Sequence, residues 1–129
     1  MRHGSCLCGA VAYQIEGKMK PPVVCHCREC RRQSGFAPAA SETMRDRVTI
    51  TRDAGLQWYK ASDHASRGFC RHCGSPLFWS RDGSKLIHVI MGALDAPTGL
   101  QLGAHIWISE KGDYYDIADG LMQVEGDDF

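Results

Sequence analysis

Short runs in which apolar and polar residues alternate recur along the chain, and this period of two is typical of half-buried β-strands. Gly, Asp and Ser residues, which favour turns, separate the runs. The pattern therefore indicates a mainly β protein. The predicted strands cover residues 11–16, 47–51, 56–59, 66–70, 76–80, 86–91 and 105–108.

Helix is predicted at only two places. Residues 28–34 form a short helix that Gly35 ends, and another turn of helix is expected near Asp95. Residues 126–129 are expected to be a frayed tail. The chain shows no repeat, no low-complexity linker and no alternation of strands with helices, so we expect a single domain over residues 1–129.

Charge and composition exclude several classes of protein. The 15 Lys and Arg residues balance the 15 Asp and Glu residues, so no positive field favours nucleic acid or an anionic membrane. No apolar stretch approaches the roughly 18 residues of a membrane span, and no apolar run of a signal peptide is present. A soluble, cytoplasmic protein is expected, with no indication of its oligomeric state.

Cysteine is the residue type that indicates chemistry. The seven cysteines are Cys6, Cys8, Cys25, Cys27, Cys30, Cys70 and Cys73. A disulfide framework fits poorly, because the number is odd, the cytosol is reducing, and cysteines at C-x-C spacing close only a strained ring. Metal binding fits better.

The outer cysteine pairs predict a structural zinc site. Cys6 and Cys8 offer two thiolates from one loop, and Cys70 and Cys73 offer two more, followed by Gly74, which permits a tight turn. Four thiolates complete a tetrahedron and would clamp the start of the chain to its middle. Such a clamp contributes directly to the free energy of folding.

The three central cysteines are one ligand short of a structural site. Three protein ligands with an open fourth position are typical of a catalytic zinc, where water or substrate completes the tetrahedron. The alternative is a closed site in which a histidine supplies the fourth ligand. Cys25, Cys27 and Cys30 form this trio, and the candidate histidines are His26, His64, His72, His88 and His105. His26 is disfavoured, because it lies between two ligands and should point the other way.

Three arginines surround the trio in sequence: Arg28, Arg31 and Arg32. A guanidinium group holds a carboxylate through two hydrogen bonds, so these side chains are candidates for binding an acidic substrate. The alternative is that they are solvated, or that they offset the negative charge of a zinc bound by three thiolates.

The segments GSCLCGAVAYQIEG, VCHCRECRRQSGFAPAA and GFCRHCGSPLFW, with GALD and HIW further on, carry a specific resemblance. In this order they resemble the glutathione-dependent formaldehyde-activating enzyme family, which is also the centromere protein V family. The resemblance runs over about residues 4–107. Where members of the family often carry a proline–tryptophan pair, residues 110–116 are acidic and rich in tyrosine, so the substrate is open to change if this segment borders the site.

The resemblance implies a β-tent of layered antiparallel sheets stapled by zinc. By motif, Cys6, Cys8, Cys70 and Cys73 match the ligands of a structural zinc, and Cys25, Cys27 and Cys30 match those of a catalytic zinc. The implied activity is that of a carbon–sulfur lyase that joins glutathione to formaldehyde or cleaves the adduct. Glutathione, as co-substrate, would place its sulfur at the open position and its two carboxylates near Arg28, Arg31 and Arg32.

Three functions follow from these patterns. The first is a zinc enzyme acting on a glutathione adduct of a small electrophile, and it is the one we favour. The second is a non-catalytic zinc-stapled module that binds glutathione or a protein. The third, a nucleic-acid-binding zinc domain, is opposed by the zero net charge and the lack of a basic stripe.

Overall fold

The structure is a computed structural model that describes residues 1–127. Its one α-helix within that range, α1, spans Arg28–Ser34. The strands are β1 Arg2–Ser5, β2 Val11–Ile15, β3 Val23–Cys25, β4 Ala39–Met44, β5 Val48–Asp53, β6 Leu56–Lys60, β7 Ala65–Cys70, β8 Pro76–Arg81, β9 Leu86–Ile90, β10 Ala104–Ile106 and β11 Met122–Gln123. The prediction of a mainly β protein is therefore confirmed.

The strands form two sheets that enclose one apolar core. The small sheet has the order β1-β2-β5, and the large sheet has the order β11-β10-β3-β4-β9-β8-β7-β6. Tyr13 of the small sheet packs edge-on against Phe78 of the large one, with ring centroids 4.9 Å apart. Both side chains are almost fully buried, together with Val11, Ile15 and Val89.

The large sheet is mixed, which corrects the expectation of antiparallel sheets only. Strand β10 runs parallel to both β3 and β11. Parallel neighbours need a long connection, and residues 26–103, which separate β3 from β10, supply one that includes most of the large sheet. The pairing sets Ile106 opposite Cys25.

The two faces of the large sheet have different compositions. Side chains at paired positions lie on the same face, and neighbours along a strand lie on opposite faces. Phe78 pairs with Val89 on the face that packs against the small sheet. The opposite face carries Trp79, paired with His88 on one side and Arg67 on the other. A cross-strand row of polar and aromatic residues thus lies on the face away from the core.

Several local predictions need correction. No helix forms at Asp95; a 3₁₀ turn, Met91–Ala93, ends just before it. The strand predicted for residues 105–108 ends at Ile106, because Trp107 adopts a left-handed backbone conformation with φ of 55°. In the predicted tail, the Gly126 carbonyl accepts a hydrogen bond from the Trp107 amide, while residues 128–129 lie outside the described range. In residues 1–127, no helix combines the length and apolar character needed to cross a membrane.

Candidate metal centres

The four outer cysteines meet at one point between the two sheets. The sulfur atoms of Cys6, Cys8, Cys70 and Cys73 all lie within 4.8 Å of one another. Cys8 Sγ lies 3.7 Å from Cys6 Sγ and also 3.7 Å from Cys70 Sγ. A disulfide would bring two sulfurs to about 2.05 Å, so these cysteines are free thiols or metal ligands.

Two tight turns direct these sulfurs toward each other. The Gly74 amide donates to the Cys70 carbonyl at 2.7 Å, and the Gly9 amide donates to the Cys6 carbonyl at 3.2 Å. Both glycines have a positive φ, 80° and 83°, which a residue with a side chain rarely adopts. The Val11 amide donates to Cys6 Sγ at 3.2 Å, which stabilises a thiolate at that position.

The spacing of these sulfurs fits a tetrahedral zinc. Zinc–thiolate bonds of about 2.3 Å set the sulfurs of a regular tetrahedron about 3.8 Å apart. Two of the observed separations are 3.7 Å, and four sulfur ligands are the donor set that zinc prefers in structural sites. The site can therefore hold a zinc ion without rearrangement of its backbone.

The central trio lies where β3 passes into α1. The sulfurs of Cys25, Cys27 and Cys30 lie within 4.8 Å of one another. Cys27 is also the N-cap of α1, because its sulfur accepts from the Cys30 amide at 3.4 Å. Hydrogen bonds from the Cys25 and Cys30 thiols lower the pKa of Cys27 to about 2, which favours a thiolate at this position.

No histidine joins the trio among the residues that the structure describes. In that range, no imidazole nitrogen or carboxylate oxygen lies within ligand distance of the three sulfurs as a group. His26, between two of the cysteines, points to the other side of β3, as its position predicts, and contacts His105 and Tyr115 instead. A closed site with three cysteines and one histidine is therefore not formed in this structure.

A hydrogen-bonded chain that includes the buried His26 and His105 adjoins the cysteine loop. His26 Nε2 is 2.8 Å from His105 Nδ1, His105 Nε2 donates to the Asp119 carboxylate at 2.7 Å, and the Tyr115 hydroxyl bonds to His26 Nδ1. Burial, with the nearby charges of His105 and Lys111, lowers the pKa of His26 to about 4, so its imidazole is neutral near pH 7. The chain ties the Cys25–Cys27 loop to the C-terminal segment. Nothing in the local sequence indicated it, because it joins residues up to 93 positions apart.

The arginines next to the trio differ in their freedom to bind a ligand. Arg31 Nε donates to the Glu110 carbonyl at 3.1 Å, so this side chain is partly committed. Arg28 and Arg32 are exposed on α1. The Arg28 amide donates to the Glu110 carboxylate at 2.8 Å. The acidic, tyrosine-rich segment 110–116 therefore does border the trio.

Glu110 should stabilise the start of α1. Its carboxylate accepts a backbone hydrogen bond at the positive end of the helix, where a negative charge is favourable. We expect Glu110→Gln to lower the free energy of unfolding by about 0.5–1 kcal/mol, measured by urea denaturation. Asp113→Asn, at an exposed residue of the same segment, is the matched control. Equal effects of the two variants would mean that only net charge matters.

A buried arginine on the sheet face beneath α1 contacts the trio directly. Arg67 in β7 is only 5% exposed, and its Nη2 donates to Cys30 Sγ at 3.4 Å. Burial opposes its charge, yet the hydrogen bond and the nearby charge of Cys30 outweigh burial and raise the pKa of Arg67. The guanidinium therefore stays protonated. Sequence reasoning missed this residue, since a lone arginine in a short strand gives no local signal.

An exposed aromatic cluster contacts the hydrogen-bonded chain at Tyr115. Phe36, just after α1, packs edge-on against Tyr115 with ring centroids 4.6 Å apart, and Tyr114 packs against both. Phe36 is 51% exposed and Tyr114 is 60% exposed. Large exposed apolar groups beside a polar site are a common feature of small-molecule binding surfaces.

The chain is similar in sequence and in fold to known proteins. The chain is 26% identical over 118 residues to an uncharacterised lyase of Schizosaccharomyces pombe, covering 89% of this chain and 84% of that one. A crystal structure of a Rhodobacter sphaeroides protein superposes with a TM-score of 0.60 at 27% identity, covering 73% of this chain and 88% of that one. The glutathione-dependent formaldehyde-activating enzyme family matches residues 1–110. The chain therefore belongs to the glutathione-dependent formaldehyde-activating enzyme family.

Proposed function

We propose that the protein is a zinc-dependent carbon–sulfur lyase that forms or cleaves a glutathione adduct of formaldehyde or a related small electrophile. The observation that carries the proposal is the trio of Cys25, Cys27 and Cys30, which gathers three sulfurs with no fourth ligand among the described histidines and carboxylates. Three ligands are the donor set of zinc sites that accept an exchangeable group. Membership of the family and the lyase name of the fungal relative support the reaction class.

The two cysteine clusters take different roles in this proposal. Cys6, Cys8, Cys70 and Cys73 hold a structural zinc, because four thiolates satisfy the metal completely. Cys25, Cys27 and Cys30 hold a second zinc, which when bound lowers the pKa of an incoming thiol so that it reacts as a thiolate. A thiolate adds readily to an aldehyde carbon, whereas a free thiol with a pKa near ~8.5 is mostly protonated at pH 7.

The remaining groups of the site bind and orient the substrate. Arg28 and Arg32 are exposed guanidinium groups that can each hold a glutathione carboxylate, and Arg31 contributes the donors that Glu110 leaves free. The exposed rings of Phe36 and Tyr114 offer an apolar surface for the uncharged part of the substrate. The neutral His26 and its partners keep the cysteine loop in one conformation.

The experiment that tests this proposal is native mass spectrometry of the zinc-loaded chain, titrated with glutathione. We expect two zinc ions per chain and one bound glutathione. Cys27→Ser should lose one zinc and all glutathione binding, because serine is a poor zinc ligand but a good helix N-cap that preserves α1. Two zinc ions that are indifferent to glutathione would overturn the proposal.

Turnover then separates an enzyme from a carrier. Formaldehyde adds to thiols without a catalyst, so the rate of adduct formation is compared between the wild-type chain and Cys27→Ser at equal concentration. A faster rate for the wild-type chain alone supports a lyase. Equal rates for the two chains, with glutathione bound by the wild-type chain, would indicate a non-catalytic binding module instead.

A further inference from the structure

Arg67 places one buried positive charge against the metal trio. It lies in the cross-strand row on the outer face of the large sheet, and its guanidinium donates to Cys30 Sγ. We propose that Arg67 sets the ligand preference of the trio, so that an anionic thiolate is favoured over a neutral ligand at the fourth position. The proposal deepens and rests on the proposed function, since it concerns what the same site binds.

The charge of the metal-loaded trio limits which ligands can complete it. A divalent metal with three thiolates carries a net charge of −1, and a fourth thiolate would raise this to −2. A further anion is therefore repelled unless a nearby cation offsets the charge. Arg67 supplies that cation at hydrogen-bond distance, and a guanidinium, unlike an amine, does not lose its proton on burial.

Among residues 1–127, the carboxylate that pairs with Arg67 is that of Glu29. Glu29 Oε1 lies 3.6 Å from Arg67 Nη2, but its side chain is 46% exposed, so water screens it. Glu42 joins the cross-strand row through its pairing with His88, and its carboxylate lies 2.8 Å from Lys20 Nζ and 3.3 Å from His88 Nε2. The positive charge of Arg67 is thus directed mainly at the trio.

The first cluster, formed by the four outer cysteines Cys6, Cys8, Cys70 and Cys73, provides an internal comparison. Two of its four sulfurs contact neutral hydrogen-bonding groups: the Val11 amide lies 3.2 Å from Cys6 Sγ, and the Ser75 hydroxyl lies 3.2 Å from Cys73 Sγ. The chain itself supplies all four ligands of this cluster, so no position is open to an external ligand. The trio has one ligand fewer and one buried cation more, which is the arrangement expected if an external anion completes it.

The experiment uses the full chain loaded with Co²⁺, whose visible absorption reports each ligand bound. Glutathione, 2-mercaptoethanol and imidazole are titrated separately. We expect two variants, Arg67→Gln and Arg67→Met, each to lower the affinity for both thiols by about 10- to 100-fold. Arg67→Met is included because it leaves no buried polar group. Imidazole affinity should change by less than about threefold. Arg67→Lys should retain most of the thiol affinity, because it keeps the charge.

Arg81→Gln is the matched control, since it removes one exposed positive charge at the end of β8. Its thiol affinity should equal that of the wild-type chain, and the absorption of the first cluster should be the same in every variant. Equal thiol affinity in the wild-type chain, Arg67→Gln and Arg67→Met would overturn the inference. So would a parallel loss of thiol and imidazole binding, which would show that Arg67 only holds the site together.

Failure of the proposed function would look different. If 2-mercaptoethanol binds with the expected dependence on Arg67 but glutathione does not bind, the inference stands and the choice of glutathione is wrong. If neither a thiol nor imidazole binds to the wild-type chain, the trio has no exchangeable position, and both the proposed function and the role of Arg67 are overturned.

Discussion

Cys73→Ser should unfold the protein, whereas Cys27→Ser should leave it folded. Cys73 is one of four sulfurs that join the small sheet and the β1–β2 loop to the β7–β8 turn, so a metal at this point links segments more than 60 residues apart. The binding free energy of a structural zinc is folding free energy, and it is comparable to the whole stability of a domain of this size. We expect Cys73→Ser to be largely unfolded at 37 °C, as measured by circular dichroism and zinc content.

The contrast between the two variants makes the result interpretable. Both replace a partly exposed cysteine by a residue of the same shape, so neither creates a cavity. Cys27→Ser keeps the N-cap of α1 and removes only a sulfur from the trio. Its urea midpoint should fall far less than that of Cys73→Ser, because only the contribution of the second zinc is lost. If both variants lose structure to the same degree, both clusters are structural, and the assignment of an exchangeable site to the trio is wrong.

The sorting of the cysteines could be predicted because ligand geometry is local. Cysteines at C-x-C or C-x-x-C spacing lie close together whatever the rest of the chain does. A structural zinc takes four ligands, so two pairs together match its requirement. Gly9 and Gly74, next to the outer pairs, are visible in the sequence and adopt the positive φ that their turns require. Seven of the eleven strands in residues 1–127 were predictable for the same reason, since a period of two is a property of neighbouring residues.

The groups around the trio could not be predicted because they depend on strand register. Arg67 reaches Cys30 only because the fold places β7, a strand of the large sheet, next to α1. His105 reaches His26 only because β10 runs parallel to β3, a pairing that no local pattern specifies. Strands β1, β3, β4 and β11 were missed as well, and β3 and β11, with three and two residues, are too short to show alternation. The cysteine pairs and the trio are thus encoded locally, while the electrostatic environment of the trio is encoded by topology.

Gly55→Ala should displace a sulfur of the outer cluster, although Gly55 lies 15 residues from Cys70 in the sequence. Gly55 lies in the turn between β5 and β6, and a Cβ atom there would be 2.7 Å from Cys70 Sγ and 3.1 Å from Ala10 Cβ. The turn cannot withdraw easily, because the Gly55 carbonyl accepts from the Arg71 amide at 2.7 Å. The sulfur of Cys70 is fully buried, so it would have to leave its place among the four ligands. We expect a loss of about 2–4 kcal/mol in the free energy of unfolding and weaker zinc retention against a chelator.

Gly92→Ala is the matched control for this variant. It adds the same methyl group at a glycine whose Cβ would meet no atom within 4 Å and whose φ is not positive. Its unfolding midpoint and zinc retention should match those of the wild-type chain. Gly55→Ala with the stability and zinc retention of Gly92→Ala would show that the β5–β6 turn moves without disturbing Cys70. In that case, the close approach of Gly55 is a feature of packing alone, and the tightness of the outer cluster must come from its own two turns.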